Sequence, residues 1–281
     1  MGVLLSFSGV PQSGKNTCCN TAAGWVLSGI GLVHDWVINP KDGSLWVKDI
    51  AGNTKEAGVL DLMNDHPKAQ DFLYEHVYPN VKIYALADLL KDICVDVFGL
   101  DRKLVYGTGK DKDTLTDFKW EDLPGVITDK EMYGQLKLQG WWDTGELSNY
   151  LIYHEPGRLT IREFMQYFGT DVCRKIYDKV WVNALLRRII AEDPLLALVC
   201  DVRFPDEVEG IQSVGGKVVR LTLNQDKEHK HKAETALNPE NFDWKKFDYI
   251  LENHKMNFLE QGLAVMSLLK ELGVVQDEAT K

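Results

Sequence analysis

The chain has 281 residues, 44% of them hydrophobic and 26% charged, a globular composition that excludes wholesale disorder. Thirty-two Lys and Arg against 42 Asp and Glu leave a net charge of −10, which argues against coating DNA or lying on an anionic membrane surface. No apolar run approaches the ~20 residues of a membrane span, so neither nucleic acid nor membrane is an expected partner.

Taken in order, Val3–Phe7 reads as a first buried strand and Ser13–Gly24 as the helix after it. The start, Met-Gly-Val-Leu-Leu-Ser, matches the loose myristoylation pattern, but the strand reading is preferred. No basic n-region precedes it, so no signal peptide is expected. Val33–Ile38, then Asn-Pro-Lys-Asp-Gly, then Leu45–Ile50 give a hairpin signal, followed by a helix near Asp71–Val77. Lys82–Ala85 is the next strand, and Asp88–Phe98 a helix with Leu89, Leu90, Ile93 and Val97 at helical spacing. Residues 100–157, rich in Gly, Asp, Lys and Trp, lack clear periodicity. Strands follow at Leu195–Cys200, Lys217–Leu221 and Tyr249–Leu251, with helices at Glu207–Val214 and Phe258–Leu272. Each strand lacks the polar alternation of a half-exposed strand or is too short to show it, as expected for a sheet covered on both faces. Their alternation with helices predicts an α/β fold around a doubly wound, parallel five-stranded sheet. We read 1–281 as a single domain. Insertions at about 33–80 (hairpin plus helix) and 100–157 (irregular) are expected to form lid or substrate-covering elements.

Cys18, Cys19, Cys94, Cys173 and Cys200 are odd in number and scattered, with no CxxC or zinc spacing. Cys94 and Cys200 lie in apolar runs and read as buried thiols, so a reduced, cytosolic protein is expected. Six of the eight arginines (Arg158, Arg162, Arg174, Arg187, Arg188, Arg203) fall between 158 and 203. Guanidinium groups suit bidentate phosphate contacts, although Arg187 and Arg188 read as solvating a helix face.

The most informative segment is Gly9-Val10-Pro11-Gln12-Ser13-Gly14-Lys15-Asn16-Thr17. It follows the first strand and opens a helix, the context of a P-loop, Gly-x-x-x-x-Gly-Lys. The glycines let backbone N–H groups curl toward a phosphate, the helix N-terminus adds partial positive charge, and Lys15 supplies a mobile cation. Asn16 stands where Ser or Thr is usual, and Thr17 comes next. Which of them approaches magnesium is open; Thr17 is favoured. Leu195–Cys200 ends in Asp201, the place of a Walker B acid.

Residues 9–17 resemble the Gly-x-Pro-x-Ser-Gly-Lys-x-Thr variant of nucleoside monophosphate kinases. Downstream, Tyr84–Lys91, Thr160–Asp171 with its Arg-x-x-(Leu/Met)-Gln-x-x-Gly-Thr-(Asp/Glu) pattern, Trp181, and Asp201-Val202-Arg203-Phe204-Pro205-Asp206-Glu207 resemble bacteriophage deoxynucleoside monophosphate kinases. His231–Glu234 and Phe247–Asn253 resemble that family's closing strand. The blocks cover about half the chain in the family's order. The stretches 33–80 and 100–157 carry little resemblance.

The resemblance implies a sheet of P-loop kinase type. It also implies transfer of the ATP γ-phosphoryl to deoxynucleoside 5′-monophosphates, with Mg2+, in a host cytoplasm if the source is viral. Gly9, Val10, Pro11, Gln12, Ser13, Gly14, Lys15, Asn16 and Thr17 would bind ATP, and Thr17 and Asp201 would organise magnesium. Lys15, Arg162, Arg174, Asp201 and Arg203 would serve catalysis. Asp88, Lys91, Arg162, Gln166, Gly169 and Arg203 would bind the acceptor. Arg162 and Gln166, four apart, share a helix face. Such kinases are often dimers, so a homodimer is open. Two other functions stay open: a P-loop kinase with another small-molecule acceptor, and a nucleotide-binding switch without turnover. Lys110 and Lys112 read as a solvated charge run and Trp141 and Trp142 as packing. Lys227, His229, Lys230, His231 and Lys232 read as a basic loop without a metal site.

Overall fold

The computed structural model describes residues 2–50, 58–63, 70–138, 151–224 and 235–275. Trp141, Trp142 and the basic loop from Lys227 to Lys232 lie outside these. The chain divides into two compact units, Met1–Leu86 with Val182–Lys281, and Ala87–Trp181.

The first unit is organised by five parallel strands: β1 (Val3–Ser8), β5 (Val81–Tyr84), β10 (Leu196–Val202), β11 (Lys217–Leu221) and β12 (Tyr249–Leu251). Their spatial order is β12-β11-β1-β10-β5, with each neighbouring pair parallel. The first strand is therefore central, and the chain winds outward from it in both directions. Along β10, Leu196, Leu198 and Cys200 join one buried cluster while Ala197, Val199 and Val202 join another. Both faces are thus covered, which is why the run Leu196–Cys200 reads as apolar without polar alternation. One cover is α1 (Lys15–Gly29), through Cys18, Cys19, Ala22, Ala23, Val26 and Leu27. The last helix, α11 (Phe258–Glu271), adds Val265 and Leu269 to the same face. The other cover comes from α9 (Val180–Glu192), through Val182, Leu185, Leu186 and Ile189, and α10 (Pro205–Ser213), through Val208 and Ile211.

The hairpin expected in 33–80 is present. The strands β2 (Val33–Ile38) and β3 (Leu45–Ile50) pair antiparallel, Ile38 opposite Leu45, and β4 (Gly58–Val59) adds a third strand. The expected helix follows as α2 (Gln70–Phe72), which widens into a π turn at Leu73–Val77 that buries Leu73 and Val77.

In the second unit, α3 (Asp88–Asp96) leads into the stretch that lacks sequence periodicity. That stretch contains α4 (Arg102–Val105), α5 (Gly109–Lys112), β6 (Leu115–Lys119), β7 (Val126–Ile127), α6 (Lys130–Leu138) and β8 (Ile152–Tyr153). Most are two to five residues long, too short for any period to show. Then β9 (Arg158–Thr160) pairs antiparallel with β6. The helix α7 (Ile161–Gln166) starts at a capping box made by Thr160 and Glu163, continues as a π turn over Tyr167–Cys173, and ends in α8 (Arg174–Ile176). Phe98, Phe118, Phe164 and Phe168 interlock at ring separations of 4.6–6.4 Å, giving this unit its own core with Cys94, Leu159, Ile161 and Tyr167.

Candidate active site

In open parallel sheets, ligand sites form beyond the carboxyl ends of the strands where the winding reverses. Here that point is the end of β1, and the chain leaving it is Gly9–Thr17. Gly14 sits at the helix N-cap with φ 91°, a left-handed backbone that glycine adopts without strain. Among the described residues no side chain caps this helix end, and its first turn carries no acid. The first-turn amides, which have no carbonyl partner within the helix, therefore meet no acid from the helix's own first turn, and the helix dipole favours an anion there.

The Lys15 ammonium folds back over the loop, donating to the carbonyls of Gly9 and Val10 at 2.8 Å each and to Ser13 Oγ at 3.4 Å. Its pKa falls from the ordinary 10.5 to about 8. Burial is the largest cause, and Arg203 and Arg220 push the same way, while Cys200 and Asp201 pull back. A half-buried cation held by neutral carbonyls next to two guanidinium groups is short of negative charge, which a polyphosphate would supply.

Asp201 is the penultimate residue of β10, where its Oδ1 accepts the Leu86 N–H at 2.8 Å. One oxygen thus ties the ends of β10 and β5 together. Arg203, exposed two residues on, has its backbone fixed: the buried Glu207 carboxylate accepts the N–H groups of Arg203 (2.7 Å) and Phe204 (3.0 Å). Pro205 opens the helix behind it. The Asp-x-Arg-Phe-Pro-x-Glu spacing is thereby accounted for, with the Glu holding the backbone that carries the Arg. The buried thiol of Cys18 is pushed up to about 12 by burial, and that of Cys19 rises for the same reason, so neither serves as a nucleophile near neutral pH.

Three polar residues that the sequence reading did not single out support the loop. Asn253, 2% exposed, donates to the Ser13 carbonyl at 2.8 Å and accepts the N–H groups of Thr222 (3.0 Å) and Leu223 (2.8 Å). Asn224 donates to the Gln12 carbonyl at 2.8 Å. Arg220, also 2% exposed, reaches Ser8 Oγ at 3.0 Å and stacks over Trp244. An arginine inside a largely apolar strand, and asparagines two or three residues beyond strand ends, were the available signals. The exposed Asn16 and the half-buried Thr17 complete the loop.

The second unit carries the other predicted residues. Arg162 is exposed on α7; its Nε donates to Asp113 Oδ1 at 2.9 Å and its Nη2 to the Gly109 carbonyl at 3.1 Å. Gln166 is exposed on the same helix. Lys91 pairs with Asp88 at 3.1 Å and lies over the Tyr106 ring. Gly169 is buried under Leu90, and its carbonyl accepts the Trp181 indole N–H at 3.0 Å. Arg174 donates to the Asp178 carbonyl at 3.3 Å. Arg188 pairs with Glu192 at 3.0 Å along α9 and Arg187 is exposed, which fits a solvated helix face.

A central parallel strand, a glycine-capped loop and a half-buried lysine at the start of the following helix are the arrangement of an α/β fold of the P-loop kind. A family model for deoxynucleotide monophosphate kinase matches residues 71–260, and the chain belongs to that family. The match begins beyond the phosphate loop, so the loop's geometry is an independent observation. A comparison with curated proteins gives no match. Among the described residues, no helix is long and apolar enough to cross a membrane.

Proposed function

We propose that the protein transfers the γ-phosphoryl group of ATP, with Mg2+, to deoxynucleoside 5′-monophosphates, forming diphosphates. The observation that carries this is Lys15, half-buried at the open N-terminus of α1, in a chain of a nucleotide kinase family. The residues present suit the donor: the Gly9–Thr17 backbone presents amides, and Lys15 exchanges neutral carbonyls for phosphate oxygens. Among the described residues no group of three or more His, Cys, Asp or Glu forms a protein-only metal site. Such a set is not required for Mg2+, which is usually held by one or two protein oxygens together with phosphate oxygens and water. We assign that role to Thr17 and Asp201. Magnesium supplies neutralisation of phosphate charge when bound.

Lys15 and Arg203 then offset charge on the migrating group, where fixed cations replace reorganising water. Arg162, Arg174 and Lys91 hold the acceptor phosphate, Gln166 offers an amide to a base edge, Asp88 orients Lys91, and Gly169 acts through packing. No general base is required, because an acceptor phosphate oxygen is already anionic. The free cysteines, four of five buried, support a reducing cytoplasm. The test is ADP release with Mg2+ and ATP, offering each of the four deoxynucleoside monophosphates, their ribose counterparts, and no acceptor. Release that depends on a deoxynucleotide is expected; ATP binding without such release would replace this reading with another acceptor or a switch.

A further inference from the structure

The turn between β2 and β3 is built against the helix that carries the phosphate loop. The turn is closed by Asn39 N–H to the Ser44 carbonyl (2.9 Å) and Gly43 N–H to the Asn39 carbonyl (2.8 Å). Its own side chains brace it: Asn39 Oδ1 accepts the Lys41 N–H at 3.0 Å, and Asp42 Oδ1 accepts the Ser44 N–H at 3.0 Å and its hydroxyl at 2.6 Å. Two contacts join it to α1. Buried Asn20 donates from Nδ2 to the Gly43 carbonyl at 2.8 Å. Gly43, at φ +73°, lies so close to Thr17 that a Cβ there would fall 2.3 Å from the Thr17 Oγ1.

A threonine in a helix divides between two rotamers, one of which returns its hydroxyl to the carbonyl a turn back. For Thr17 the carbonyls in reach are those of Ser13 and Gly14, which already accept from Asn253 Nδ2 at 2.8 Å and from the Cys18 N–H at 3.0 Å. The Gly43 wall bounds the hydroxyl on the other side. We propose that this turn is part of the donor-nucleotide site, with Gly43 and Asn20 as positioning residues that hold the Thr17 hydroxyl for the magnesium-bound phosphates of ATP. The proposal rests on reading the loop as the ATP site. It also assigns the hairpin, which lies outside the matched residues 71–260, to the donor side rather than to a cover over the acceptor.

The test is calorimetric binding of a non-hydrolysable ATP analogue, with Mg2+ and with chelator, to Thr17→Ala, Gly43→Ala and the double variant. Residues that orient a metal ligand typically matter by 10–100-fold in affinity. Each single variant is expected to weaken magnesium-dependent binding roughly tenfold, and the double variant to bind no more weakly than the worse single. The KM for the acceptor should stay unchanged. Wild-type affinity in both single variants, fully additive losses, or no analogue binding by the wild-type chain would each overturn the proposal. If Gly43→Ala does not fold, Asn20→Ala takes its place in the same cycle, since it releases the turn without adding bulk. Analogue binding without acceptor-dependent ADP release would end the kinase reading while leaving this cycle to be decided by affinity alone.

Discussion

The two halves of the predicted chemistry sit in different kinds of ground. At the end of β1, Lys15 is half-buried and held by loop carbonyls, the backbone that carries the exposed Arg203 is held by Glu207, and the loop itself is held by Asn253 and Asn224. In Ala87–Trp181, Arg162 and Gln166 stand exposed, and Arg162 is occupied by a solvent-facing acid. Preorganisation inside a low-dielectric site costs nothing further when charge develops, whereas exposed groups adapt to what arrives. The contrast suits a donor site that holds one fixed polyphosphate and an acceptor side that varies with the base. Substitutions should therefore act on turnover in the first region and on acceptor KM in the second.

The largest effect belongs to Lys15→Ala. We expect kcat to fall by roughly 10²–10³ with the thermal midpoint unchanged or raised, because the variant removes a cation that is costly to bury. Retained turnover would break the comparison at its strongest point.

The pH profile sharpens it. With a free-enzyme pKa of about 8, Lys15 loses its charge between pH 7 and pH 9, so kcat/KM for ATP should drop about tenfold across that range. The kcat limb should lie higher, because bound phosphate restores the charge. Stability should move the other way. The folded value lies below the ordinary 10.5, so the charged form is destabilising at pH 7 and this cost is relieved as pH rises from about 8 toward 10.5. Opposite slopes for unfolding free energy and kcat/KM, both flattened in Lys15→Ala, are the signature to measure.

Asn253→Ala should combine structure and function. It strips partners from one carbonyl and two N–H groups, so denaturant unfolding should show a loss of about 2 kcal/mol. Since the lost donor holds the Ser13 carbonyl, KM for ATP should rise and acceptor KM should not.

These residues also mark how far the sequence could be read. The sheet was legible because a strand covered on both faces is mostly apolar, as Leu196–Val202 is up to Asp201 and Lys217–Leu221 is apart from Lys217 and Arg220. The phosphate loop was legible because backbone geometry forces glycine at Gly14. Arg220, Asn253 and Asn224 were not, because their roles come from contacts between segments more than 200 residues apart. In 100–157, elements of a few residues bury single side chains such as Val105 and Trp120, and a single buried residue has no period. The π turn over Tyr167–Cys173 shifts the helical face beyond Gln166, so spacing relates Arg162 to Gln166 but not to Arg174.

The smallest effect tests the exposed half directly. The Arg162–Asp113 pair joins side chains 44% and 61% exposed, and such pairs contribute about 0–1 kcal/mol. Asp113→Asn should therefore leave the thermal midpoint within a degree or two of wild type. If Arg162 receives the acceptor phosphate, Asp113 competes with it for the same guanidinium, and a phosphate dianion is the stronger bidentate partner. Removing the competitor should then lower acceptor KM, by no more than about fivefold given the weakness of the pair, with kcat and KM for ATP unchanged. A raised acceptor KM would instead make Asp113 the group that aims Arg162, and the exposed half of the site would prove as preorganised as the buried one.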